Sequence, residues 1–240
     1  ADNGYHWNRM KGAPVFNRIY DMVYTGDVLW IGDEDAVYIY ANNSWAKVLE
    51  AEGKKTFANS PQGMYIGVFN KGIYYQKYGE QEWTYFDLEE VTIWACNRVS
   101  DMIFFEGKLW LVITSYGYDM GSIFTYNGDK TWEYVRPYGS SDPYIEANCS
   151  YLTTLANDSS GALWFGSSPS AGGMSVGAYK LDKDQNWYAL GTGSGELKYN
   201  NISVIAVDSE NRKWFGHWGF ITVLTEGSTA VENNPLDIPV

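Results

Sequence analysis

An all-β fold, a β-propeller of five four-stranded blades in one domain over residues 1–240, is what three features of the sequence predict together. The first is a phrase written twice, "FNRIYDMVYTGDVLW" from Phe16 and "CNRVSDMIFFEGKLW" from Cys96, which keeps Asn-Arg, Asp-Met and the closing Leu-Trp. The second is composition: aromatic residues make up 17% of the chain, strand-favouring Tyr, Trp, Thr, Val and Ile alternate with Gly, Asn, Asp and Ser, and no window carries a sustained helical stripe. The third is spacing. Further versions of the phrase are "CSYLTTLANDSSGALWFG" from Cys149, "NNISVIAVDSENRKWFG" from Asn200 and a degraded "KTFANSPQGMYIG" from Lys55. Their anchors Trp30, Tyr65, Trp110, Trp164 and Trp214 stand 35, 45, 54 and 50 residues apart, which is blade spacing.

Each unit reads in the same order: an apolar strand such as "ISVIAV", a polar turn such as "DSENR", a strand such as "KWFG", a third such as "AVYIY", a turn, and a fourth strand with a Trp. The fourth-strand residues are Trp45, Trp83, Trp132 and Trp187, so four units are complete. The fifth is not, because no aromatic residue follows Phe220. Trp7, in "GYHWNRM", has the opposite character, a fourth-strand Trp with no blade before it. Ring closure follows as the economical expectation: an N-terminal strand at about residues 5–10 completes the last blade, and 227–240 is a tail. A longer propeller cut at both ends is the alternative.

"IAVDSENRKWFG" and "LANDSSGALWFG" resemble the two-component regulator propeller repeat, an apolar strand followed by Asp-x-x-Gly-x-Leu-Trp-x-Gly. The resemblance covers nearly the whole chain and implies a β-propeller in an extracytoplasmic sensor or secreted binding protein, periplasmic or beyond. Its motifs are structural and imply little chemistry. The residue after Trp-x-Gly, Thr in that family, is Asp33, Ser167 and His217 in the first, fourth and fifth units. More weakly, "TYNGDKTW" from Thr125 resembles a degenerate Asp-box, with "DKDQNW" from Asp182 and "ANNSW" from Ala41 in the same turn. All three read as turn-stabilising, since a short acceptor side chain bonds local backbone N–H groups.

The charge balance excludes some partners. A net charge of −12 and a pI near 4.5 repel phosphate backbones, so nucleic acid is not expected, and no apolar run is long enough to insert in a membrane. His6 and His217 are the only histidines, and no nucleophile elbow or phosphate-binding glycine pattern occurs, so no catalytic residue, metal or cofactor is expected. "GDEDA" at Gly32 groups Asp33, Glu34 and Asp35 on one loop, more in keeping with a solvated acidic turn than with two carboxylates facing across a cleft. A glycoside hydrolase or polysaccharide lyase using Asp33, Glu34 or Asp119 is the enzymatic alternative.

Propeller geometry places the candidate site. Segments leading into the inner strands and loops joining strands two and three share one face, around the mouth of the central channel. The ligand-binding candidates there are Trp218, His217, Tyr116, Tyr118, Arg18, Arg98, Asp33 and Phe69, an aromatic and polar rim suited to a glycan or another small polar ligand, or to a protein partner. Arg18 and Arg98 recur at one blade position and carry the planar fork that suits a ligand carboxylate, but because the acid three residues on, Asp21 or Asp101, repeats with each, a local pairing that locks the strand entry is the expectation. His217–Trp218 breaks the repeat where a small residue is usual. Cys96 and Cys149 occupy corresponding positions of neighbouring units and are a disulfide candidate, bonded or not, whose formation would fit an oxidising compartment.

Overall fold

The computed structural model describes residues 10–91, 98–113, 122–128, 131–135, 152–168, 177–193 and 197–225. Five small antiparallel sheets form a ring, each with its strands in chain order. The first holds β1 (Ile19–Thr25), β2 (Val28–Asp33), β3 (Ala36–Ala41) and β4 (Ser44–Glu50). The second holds β5 (Lys55–Asn59), β6 (Gly63–Val68), β7 (Gly72–Lys77) and β8 (Thr84–Phe86), followed by a single helical turn, α1 (Leu88–Val91). The third comprises β9 (Val99–Phe105), β10 (Lys108–Ile113), β11 (Ser122–Tyr126) and β12 (Trp132–Val135); the fourth comprises β13 (Leu152–Asn157), β14 (Leu163–Ser167), β15 (Ala178–Leu181) and β16 (Trp187–Leu190). The fifth shows β17 (Val204–Val207), β18 (Lys213–His217) and β19 (Phe220–Leu224) among the described residues. Its expected closing strand at about 5–10, with Trp7, falls outside them except for Met10, as do the tail and both cysteines of the disulfide candidate.

Consecutive inner strands pack in series, β1 on β5, β5 on β9, β9 on β13 and β13 on β17. The core therefore lies between blades. One cluster joins Ala58, Tyr65 and Ile73 of the second blade to Met102, Leu109 and Leu111 of the third, and another joins Val112 and Ile123 to Leu155, Phe165 and Tyr179 of the fourth. Each of the larger aliphatic and Phe side chains among them, moved out of water, contributes about 1.5–3 kcal/mol. Close approach needs glycine in strand two: a Cβ on Gly67 would come within 2.8 Å of Val99, and one on Gly166 within 2.7 Å of Ile202. The face of β1 turned away from the second blade differs. Met22 is 59% exposed where its repeat equivalent Met102 is 1% exposed.

The repeat's Asp and Trp explain one another. The Asp158 carboxylate accepts from the Ser160 and Ala162 backbone N–H groups and, at 2.8 Å, from the Trp164 indole. Asp208 does the same with Glu210, Arg212 and the Trp214 indole at 2.8 Å. In the first and third blades the turn is too short to carry that Asp, and the buried Trp30 and Trp110 indoles have no hydrogen-bond partner. The "DKDQNW" turn is built likewise, with Asp182 accepting from the Asp184 and Asn186 backbones at 2.9 and 2.8 Å.

Candidate functional site

The loops and strand lead-ins that the sequence places on one face are bonded to each other there. Arg18 donates its backbone N–H to Asp33 at 2.8 Å, and Asn17 donates to Asp35 at 2.8 Å, which ties the first blade's β2–β3 loop to the lead-in of β1. Between the second and third blades, Arg98 Nε donates to Asn70 Oδ1 at 3.1 Å, and within the second blade Phe69 donates its backbone N–H to the Lys54 carbonyl at 2.9 Å. In the fifth blade, His217 Nδ1 lies 3.0 Å from the Asn201 carbonyl oxygen. A carbonyl only accepts, so Nδ1 carries the proton and Nε2 accepts from the Thr222 hydroxyl at 3.0 Å. Burial lowers the His217 pKa against that hydrogen bond, so its ring stays neutral and stiffens the turn.

Beside it stands an aromatic cluster that sequence reasoning saw only in part. Trp218, at the tip of the β18–β19 turn, is 90% exposed. Tyr199 stacks on Phe220 with centroids 4.9 Å apart and an interplanar angle of 18°, and both rings are exposed on their outer sides. The Lys198 ammonium sits 4.9 Å from the Phe220 ring centroid, and Tyr199 also meets the His217 ring at 6.3 Å. Tyr199 precedes the strand and Phe220 follows the turn, so only the fold makes them neighbours.

Below the rim, all five inner strands or their lead-ins line a central cavity of about 260 Å³: Tyr20 and Asp21, Lys54 to Thr56, Ser100 and Asp101, Thr153 and Thr154, Ser203 and Val204. Its carboxylates serve the blades. Asp101 accepts from the Thr56 hydroxyl at 2.9 Å, from the Thr154 hydroxyl at 2.8 Å and from the Leu155 backbone at 3.0 Å, linking the third blade to both neighbours. Asp21 accepts from the Phe57 backbone of the second blade at 3.0 Å and from Met22 at 2.7 Å. These bonds replace the expected pairing of each Arg with the acid three residues on. The acids point into the channel, the Arg18 guanidinium lies over the Tyr20 ring at 5.4 Å, and Arg98 reaches Asn70. Burial pushes the Asp21 carboxyl up to about 6, against the two backbone bonds that lower it.

Of the candidates, Trp218, His217, Arg18, Arg98, Asp33 and Phe69 all lie on the loop face. Trp218 is the one fully presented to solvent, whereas Asp33 and His217 are buried and bonded to the backbone. Tyr116, Tyr118, Asp119, Cys96 and Cys149 lie outside the described residues. Among the described residues no group of His, Cys, Asp or Glu is arranged to hold a metal ion.

The chain matches no known protein family and no curated protein. It is similar to solved structures. The extracellular domain of the hybrid two-component system BT4673 from B. thetaiotaomicron superposes with a TM-score of 0.66 at 16% identity, over 90% of this chain and 27% of that one. YCF48 bound to D1 peptide matches with a TM-score of 0.63 at 17% identity, over 97% and 73%. A gluconolactonase-like protein matches with a TM-score of 0.60 at 14% identity, over 89% and 76%. The chain thus spans about a quarter of the length of the two-component-system structure. Likenesses at this identity establish the propeller fold.

Proposed function

We propose that this propeller is a non-enzymatic recognition domain of an extracytoplasmic sensor or secreted protein, and that it binds a glycan on the loop face around its channel mouth. One observation carries the proposal: Trp218, fully presented beside the stacked Tyr199–Phe220 pair, with Lys198 at the edge. Flat aromatic faces held by a stiff turn suit the apolar face of a sugar ring, while neighbouring amides and the ammonium suit its hydroxyls. His217 supports the platform from below. Likeness to the extracellular domain of a two-component system supports the compartment and the sensing role. Affinity electrophoresis through gels containing xylan, pectin, β-glucan or chondroitin sulfate tests it. Retardation in one gel, lost in Trp218→Ala and Tyr199→Ala, is the expected result; equal retardation of all three proteins refutes the platform.

A protein-interaction scaffold is the second reading, favoured by the bare face of β1, where Ile19, Met22 and Tyr24 are exposed. A similar propeller is known with a peptide bound. Light scattering across concentration separates self-association from a monomer, and Met22→Glu abolishes association if that face mediates it.

A further inference from the structure

The channel breaks its own pattern at one point. Asp21, Thr56, Asp101, Thr154 and Val204 occupy the same register of successive inner strands, opposite Gly32, Gly67, Val112, Gly166 and Gly216. Asp101 lies between two threonines and receives a hydroxyl from each. Asp21 lies between Thr56, whose hydroxyl is given to Asp101, and Val204, which has none. Its bonds come from the Phe57 and Met22 backbones, one to each oxygen, which leaves each oxygen a further lone pair. Of the nearby cations, Lys54 donates to the Ser100 carbonyl at 2.9 Å and its charge partly offsets the rise in the Asp21 pKa, to which the Asp101 charge adds, while Lys55 turns away to the Glu34 and Ala51 carbonyls, amid Asp33, Glu34, Asp35 and Glu52.

We infer that the channel is a second ligand site, for a small molecule carrying an ammonium group, with Asp21 as the acceptor in a cavity that Ser203 also lines. Two carboxylates and the Lys54 ammonium leave the cavity with one excess negative charge, which an ammonium neutralises and a neutral polyol does not. A cavity of about 260 Å³ accommodates a molecule of monosaccharide size. The ligand's N–H donors take the role at Asp21 that threonine hydroxyls take at Asp101. Because a protonated Asp21 no longer attracts a cation, binding weakens as pH falls through its pKa of about 6.

The Met22 and Phe57 backbone N–H groups donate directly to Asp21, so their amide NMR signals report this site, and the Trp218 indole signal reports the rim. Titration of the ¹⁵N-labelled protein with glucosamine, glucose and N-acetylglucosamine separates charge from shape. At about pH 7, glucosamine moves the Met22 and Phe57 signals saturably and the two neutral sugars do not; at about pH 4.5 the affinity weakens by roughly thirtyfold. Val204→Thr, which adds the protein's own hydroxyl beside Asp21, weakens it by roughly tenfold with the fold retained, and Asp21→Asn abolishes it. An equal response to glucose overturns the ammonium assignment. A response at the Trp218 indole without one at Met22 and Phe57, no response at all, or full binding by Val204→Thr overturns the channel site.

Discussion

The Asp158 carboxylate and the Lys213 ammonium meet at 3.0 Å across the boundary between the fourth and fifth blades, with neither side chain exposed. Burial alone would raise the Asp158 pKa. Hydrogen bonds from Ser160, Trp164 and Ala162, together with the ammonium, overcome that and hold it well below the usual carboxylate range. The turn acid of one blade thus anchors the second strand of the next. Lys213→Met leaves that carboxylate buried without its counter-charge, and a loss of about 3–5 kcal/mol is expected in urea unfolding. A loss below about 1 kcal/mol would show that the pair is not what joins these blades.

Asp101 is the corresponding clasp on the channel side. Asp101→Ala strands the Leu155 N–H and two threonine hydroxyls, each of which costs about 1–3 kcal/mol when left unsatisfied. Thr56→Val removes a single bond and should cost about 1 kcal/mol. Equal destabilisation by the two variants, compared by thermal unfolding, would contradict the clasp.

Asp21 sets a pH dependence of opposite sign to that of the paired acids. Its folded carboxyl holds a proton up to about pH 6, against 3.8 for an ordinary Asp, so between these values the folded state binds more protons than the unfolded chain. Its contribution to stability is therefore greatest below this window and is lost as pH rises through it. Measured from about pH 4 to about pH 7, the Asp21→Asn variant should gain stability relative to wild type as pH rises. Parallel curves for the two proteins would refute the raised pKa.

Glycine in strand two is a packing requirement. Gly166→Ala forces a Cβ to 2.7 Å from Ile202 and 2.8 Å from Thr154, and a loss of about 1–3 kcal/mol is expected. Gly193→Ala, with nothing within 4 Å of the new atom, is the neutral control. Denaturation midpoints that move together for the two variants would contradict the packing argument.

The anchoring Trp residues divide by their indole partners. Trp164→Phe loses the 2.8 Å bond to Asp158 and leaves that buried carboxylate oxygen with the Lys213 ammonium but one donor fewer, whereas Trp110→Phe removes an indole N–H that had no partner. Trp164→Phe should cost more, by about 1 kcal/mol. The reverse order would show that ring packing alone governs both sites.

The architecture was legible because it is periodic. Trp30, Trp110, Trp164 and Trp214 mark the second strand of their blades, and the fold puts them where their spacing implies. What crosses a blade boundary was not legible. Asp21 and Asp101 read as local partners of Arg18 and Arg98, yet inner-strand register turns both acids into the channel. Lys213 reads as one residue of a strand, and only the fold brings it to Asp158. Trp218 stood out because it breaks the repeat; Tyr199 and Phe220 did not, since their stacking joins a lead-in to a turn across the fifth blade.

Glycan recognition at the fifth blade is tested most directly by a glycan array screened with the wild-type domain and Trp218→Ala side by side. Saturable binding to a defined set of glycans by the wild type, lost or reduced roughly tenfold in the variant, is the predicted result. An array blank for both proteins, or identical binding by both, would contradict it.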